Sequence, residues 1–132
     1  MVEVYDLEVT KSAFTYTGLD INTQKISQFV LHKDRNDWFK LINHLNQCKG
    51  QIGFNNINFD YPIIHYILKN TYVWPSKYNI EHIISLIYKE AQRIIEKQNK
   101  PQFNTIVAIK TKDILIPQLD LFKIWHYNNK AR

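Results

Sequence analysis

Asp6 and Glu8 stand two residues apart in the apolar run Val4-Tyr-Asp-Leu-Glu-Val9. In an extended strand, residues i and i+2 face the same side. The two carboxylates therefore stand next to each other on one strand face. Like charges at that spacing repel, and burying either one unpaired is costly. A divalent cation between them reverses the sign of that interaction. The alternative is a solvated strand face, the ordinary place for acids. A third acid, Asp60, gives the cation reading its weight, provided the fold carries it to the same end of the first strand.

The elements that must do this can be read in order. Residues 2–9, 13–20 and 25–32 are rich in β-branched and aromatic residues and predict three strands. Their short links favour an antiparallel meander. Residues 35–47 predict a helix, with Trp38, Leu41, Ile42 and Leu45 at helical spacing and Asp34 or Asn36 as its cap. Gln51-Ile-Gly-Phe54 then returns as a short strand after a helical crossover, hence parallel to the first. Asn55 to Phe59 reads as a turn, and Pro62 fits the first turn of a helix running to Lys69. Asp60 thus falls at a strand-to-helix junction. Residues 71–78 read as a loop. Residues 79–98 form the longest helix, with Ile80, Ile84, Ile87, Ala91 and Ile94 as a core stripe that Ile83 and Ile95 widen. Residues 99–112 are polar and basic. Ile114 to Leu121 is extended, with Pro117 at an edge or bulge, and a helix begins near Phe122.

This order predicts an α/β fold: a three-strand antiparallel meander plus parallel strands in one mixed sheet, with helices on its faces. Sites in such sheets gather at the carboxyl ends of strands. Asp6 and Glu8 end the first strand and Asp60 follows the fourth.

Bulk properties set the limits. The 132 residues suit one domain, 1–132, and the 45% hydrophobic content supports a real core. A net charge of +5 favours an anionic partner such as nucleic acid. Cys48 is the only cysteine, so an intramolecular disulfide is excluded and a reducing compartment fits. No apolar run approaches the roughly 18 residues of a membrane span. Three glycines leave no glycine-rich phosphate loop.

Tyr5-Asp-Leu-Glu8 resembles the first motif, D-x-E, of the DEDD-type (DnaQ-like) 3′–5′ exonucleases of ribonuclease H-like fold. Gly53-Phe-Asn-Asn-Ile-Asn-Phe-Asp60 resembles their second motif, as found in proofreading domains of family B DNA polymerases and in phage exonucleases. Gln118-Leu-Asp-Leu-Phe-Lys-Ile-Trp-His126 is similar to a later strand of the phage-type members. The resemblance implies hydrolysis of DNA at 3′ ends or in single strands by two Mg²⁺ or Mn²⁺ ions. Asp6 would bridge them, Glu8 would hold the one that activates water, and Asp60 would hold the other. It implies that Asn56 touches the terminal nucleotide or orients Asp60, and that Phe59 packs under the motif or stacks on a base. The family's third motif, a Tyr or His followed by a fourth acid, has no match, since no acid follows Asp120. Asp120 as a secondary ligand or structural acid, and His65 and His126 as water-positioning groups, are the remaining candidates. Cys48 reads as a small buried residue, and Lys110, Lys112 and Arg132 as a phosphate path or a solubilising surface. The missing motif sets up three further expectations: a domain incomplete at its C-terminus, an inactive nucleic-acid-binding module, or a homo-oligomer that completes the site. The resemblance implies the cytoplasm of a bacterial or phage-infected cell.

Overall fold

The N-terminal segment builds the meander. In the computed structural model, which describes residues 1–99 and 109–124, β1 (Val2–Val9), β2 (Phe14–Asp20) and β3 (Ile26–His32) pair antiparallel in chain order. Asp20 closes the second turn by accepting the amides of Asn22 and Thr23 at 2.9 and 3.3 Å.

The helix expected over 35–47 starts later. Arg35–Asn36 first adds to β3 as a short strand, β4, and α1 is Trp38–Gln47. Asn36 still serves the helix start, its Oδ1 accepting the Trp38 amide at 3.0 Å. Asp37 turns instead to the Val30 amide and the Arg35 guanidinium. β5 (Gly50–Gly53) then lies parallel to β1, as a helical crossover requires.

α2 (Asp60–Lys69) begins at the acid itself, two residues before Pro62. The loop expected over 71–78 contains a short helix, α3 (Val73–Lys77), whose Trp74 is buried. α4 (Ile80–Gln98) is capped by Asn79, which accepts the His82 amide at 2.8 Å. Its buried stripe is Ile83, Ile84, Ile87, Ala91 and Ile94, while Ile95 is exposed. A 3-10 turn (Thr111–Asp113) leads to β6 (Gln118–Asp120), which pairs parallel to β5. This strand is much shorter than the expected 114–121. Residues 121–124 are helical, in line with a helix starting near Phe122.

The result is an α/β fold around an open mixed sheet of six strands in the order β4-β3-β2-β1-β5-β6. The helices among the described residues pack against the face that carries the core. The crossovers from β1 to β5 and from β5 to β6 step the same way along the sheet. Right-handed crossovers in one direction place their helices on the same side. Tyr5, Leu7, Phe14, Tyr16 and Leu31 point to that side and join Trp38, Leu41, Ile64, Ile67 and Ile87 in one core. The opposite face carries Val4, Asp6 and Glu8, with Leu19, Ile26, Gln28 and Leu119, and all seven are exposed. No helix among the described residues is long and apolar enough to cross a membrane.

Candidate active site

Alternation along β1 puts Glu3, Tyr5 and Leu7 inward and Val4, Asp6 and Glu8 outward. Asp6 lies opposite Thr17 and Glu8 opposite Thr15, so the outward pair sits among short hydroxyl side chains. Both acids are exposed.

Asp60 reaches this strand through the departure of β5. The β1–β5 register runs from Val2 opposite Gly50 to Val4 opposite Ile52 and goes no further. The edge of β1 beyond Val4 therefore has unpaired backbone groups. Asp60 takes one of them, its Oδ2 accepting the Leu7 amide at 3.3 Å. The carboxyl group is buried, at 8% exposure. Burial, then the nearby Asp6, push its pKa up to about 6, with a further push from Asp120; the Leu7 and Asp60 amides only partly offset these effects. None of the principal influences on Asp60 is a cationic side chain. Asp6 therefore acts on Asp60, while Glu8, one pleat further along, is not among the principal influences.

The loop that delivers Asp60 is tied down at several points. Asn55 takes a left-handed conformation, φ 59°, which asparagine tolerates better than most residues. Asn56 is fully buried, and its backbone carbonyl accepts the Tyr61 amide at 2.7 Å. Its side chain lies so close over Gly53 that a Cβ there would sit 2.8 Å from the Asn56 Cβ and Cγ. Asn56 Nδ2 donates to Gln118 Oε1 at 2.8 Å, and the same oxygen accepts the Tyr5 hydroxyl at 2.8 Å. Asn56 is thus buried and bonded within the turn that precedes Asp60.

Asp120 is structural in the same sense. It is 3% exposed and accepts the amides of Asn55 (2.8 Å), Ile57 (3.2 Å) and Phe122 (3.0 Å). Both oxygens are engaged in holding the loop to β6. Phe59 is half-buried against the core. His65 shares a hydrogen bond with the Tyr61 hydroxyl at 3.0 Å, and that hydroxyl accepts the Leu115 amide at 2.7 Å. Burial and Lys69 lower the His65 pKa, and the acid acting on it is Asp113 rather than Asp60. His126 and Arg132 lie outside the described residues, and Lys110 and Lys112 are exposed.

A cleft of about 390 Å³ lies just beyond the carboxyl end of β1, lined by Lys11, Ser12, His32, Lys33, Glu81 and Ile84. It offers cationic groups at the end of the sheet where Glu8 stands.

Another cluster lies on the inward face, and the sequence reading did not find it. Glu3 is 1% exposed, and His44 Nε2 lies 2.9 and 3.0 Å from its two oxygens. The Tyr16 hydroxyl and the Cys48 thiol donate to Oε1. Burial pushes the Glu3 pKa upward, but these hydrogen bonds and the His44 charge outweigh it and hold the group below its ordinary value. Among the described residues, Glu3, His44 and Cys48 are the one group of three potential ligand side chains with donor atoms all within 4.8 Å of one another. Two signals pointed there: an acid in phase with Tyr5 and Leu7, and a His and a Cys four apart at a helix end.

Comparison of the chain with protein-family models, curated proteins and solved structures finds no match.

Unlike Glu3, His44 and Cys48, the acids Asp6, Glu8 and Asp60 do not form such a group of three among the described residues. Mg²⁺ is commonly held by one or two carboxylates, with water and substrate phosphates completing its shell. Asp6 is near enough to Asp60 to raise its pKa, and Asp6 is itself open to solvent.

Proposed function

We propose that this chain is a metal-dependent nuclease domain of ribonuclease H-like type that removes nucleotides from the 3′ ends of DNA. The single observation carrying the reading is the Asp60 carboxylate bound to the Leu7 amide, beside Asp6. This joins the two motif-like segments across a parallel crossover. The strand order and the placement of both segments at carboxyl ends of strands support it further.

Asp6 and Asp60 would hold Mg²⁺ or Mn²⁺, with Glu8 on the same outward face able to join them. Bound there, such ions would supply an activated water and stabilisation of the leaving oxygen. Leu7 orients Asp60 through its amide, while Asp120 and Asn56 hold the loop that carries it. Lys11 and Lys33 would give the phosphates of a single strand a cationic surface beyond the carboxylates.

The test is release of nucleotides from end-labelled single-stranded DNA and RNA in Mn²⁺ or Mg²⁺. The expected result is stepwise loss from the 3′ end of DNA, reduced to background by Asp6→Ala and by Asp60→Asn. A wild-type chain that releases nothing from either polymer in either metal overturns the nuclease reading.

The absence of a fourth motif acid after Asp120 favours one second reading: a binding module that keeps the fold without cleavage. Its mark is single-strand binding that weakens with salt and survives Asp6→Ala.

A further inference from the structure

We propose that Glu3, His44 and Cys48 form a binding site for a thiophilic divalent ion, Zn²⁺ by the chemistry of its donors, separate from the outward carboxylates. The site needs no part of the nuclease reading.

The donor set is a carboxylate, an imidazole and a thiol. Thiolate and imidazole suit Zn²⁺, whereas Mg²⁺ prefers oxygen alone. Zinc bonds of about 2.0–2.3 Å in tetrahedral geometry place ligand atoms roughly 3.2–3.8 Å apart. Here His44 Nε2 lies 2.9 Å from Glu3 Oε2, and Cys48 Sγ lies 3.4 Å from Glu3 Oε1. A small outward relaxation of the three groups opens the space an ion needs.

The supports of the site lie in different elements. His44 and Cys48 stand four residues apart at the end of α1, so they share one side of the helix. Glu3 approaches from β1, and its carboxylate lies over Gly18, where a Cβ would come within 2.4 Å of Oε2. Behind the ligands runs a hydrogen-bonded relay. Tyr16 donates to Glu3, Gln51 Nε2 donates to the Tyr16 hydroxyl at 2.7 Å, and Gln118 Nε2 donates to Gln51 Oε1 at 2.7 Å. Such outer partners fix the orientation of metal ligands.

Cys48, alone of the three, lines a cavity of about 470 Å³ together with Leu45, Lys69, Thr71, Tyr72 and Leu115.

The experiment is titration of the full chain with Co²⁺, followed by its thiolate-to-metal charge-transfer absorption, and then competition with Zn²⁺. Cys48 is the chain's only cysteine, so such a band has one source. The expected result is a band saturating at one ion per chain and erased by one equivalent of Zn²⁺. Cys48→Ser removes the band, and His44→Gln weakens Co²⁺ binding at least tenfold, each in a protein whose circular dichroism matches wild type. The intensity of the thiolate band at saturation is the same in Asp6→Ala and Asp60→Asn. No band in the wild-type chain overturns the proposal, as does saturation at one ion per two chains. Zinc binding that disappears in Asp6→Ala and persists in Cys48→Ser overturns it as well.

Discussion

The two faces of β1 treat their acids in opposite ways. Glu3 points inward and receives hydrogen bonds from His44, Tyr16 and Cys48. Asp6 points outward and meets a second acid, Asp60, whose proton affinity rises. The residues are three apart on one strand, so the pleat sends them to opposite faces and to different partners. An acid surrounded by donors is held ionised by its neighbours. An acid facing another acid carries unbalanced charge, which a cation from solution can neutralise.

This contrast is broken most sharply by deleting each acid in turn. Removing one member of a buried hydrogen-bonded pair leaves its partners unsatisfied and costs about 3–5 kcal/mol. Glu3→Ala should therefore lower the unfolding free energy in urea by about that amount, since it strands His44, Tyr16 and Cys48 at once. Asp6→Ala should stay within about 0.5 kcal/mol of wild type, as substitutions at exposed positions usually do, while reducing metal-dependent cleavage to background. A chain that tolerates Glu3→Ala as easily as Asp6→Ala would show that the inward network contributes nothing.

The next effect is smaller and probes the inward face through its neighbour. A Cβ on Gly18 would lie within 2.4 Å of Glu3 Oε2. A free glutamate would swing aside. Glu3 can do so only by giving up its bonds to His44 and Tyr16, so Gly18→Ala should cost about 1–3 kcal/mol, the usual range for overpacking. Urea denaturation measures it, and Glu3→Gln/Gly18→Ala should show the two substitutions coupled rather than additive.

How much of this the sequence discloses follows from the range of each interaction. The meander and both parallel crossovers follow from local alternation and link length. So does the shared outward face of Asp6 and Glu8, which needs only the two-residue period of a strand. α3 does not follow, because its reason is tertiary. Trp74 is buried against Trp38 and Tyr66, with ring centroids 5.8 and 4.9 Å apart, and this packing orders a stretch that reads as a loop. β6 is short because Pro117 lacks an N–H and gives β5 only its carbonyl, which accepts the Gln51 amide at 2.9 Å, so the ladder starts at Gln118. The hydrogen bond from Leu7 to Asp60 depends on where β5 leaves β1, a matter of register. Glu3 was the hardest to find. An acid at an inward position breaks the hydrophobic pattern, and its His44 partner lies 41 residues away.

The smallest effect separates the two faces by pH. Asp60 titrates at about 6 in the fold against 3.8 for an ordinary aspartate. Between those values the folded chain binds more protons than the unfolded chain, so stability falls as pH rises through this range. Glu3 has the opposite sign. Its folded pKa is lowered from 4.5, so its contribution is present above 4.5 and is lost only as pH drops through the folded value. The window from pH 5 to 7.5 lies above the Glu3 transition and spans that of Asp60. Moving from pH 7.5 to 5 should therefore add about 1–1.5 kcal/mol from Asp60 to the unfolding free energy. Histidines titrate in the same window, so the measurement is the difference between wild type and Asp60→Asn, which removes this carboxyl and keeps the rest. Saturating Mn²⁺ should shrink that difference, because an ion held by Asp6 and Asp60 favours the ionised carboxylate that the empty fold disfavours. A difference that is flat with pH, or that Mn²⁺ leaves unchanged, would place the Asp60 charge outside any cation site.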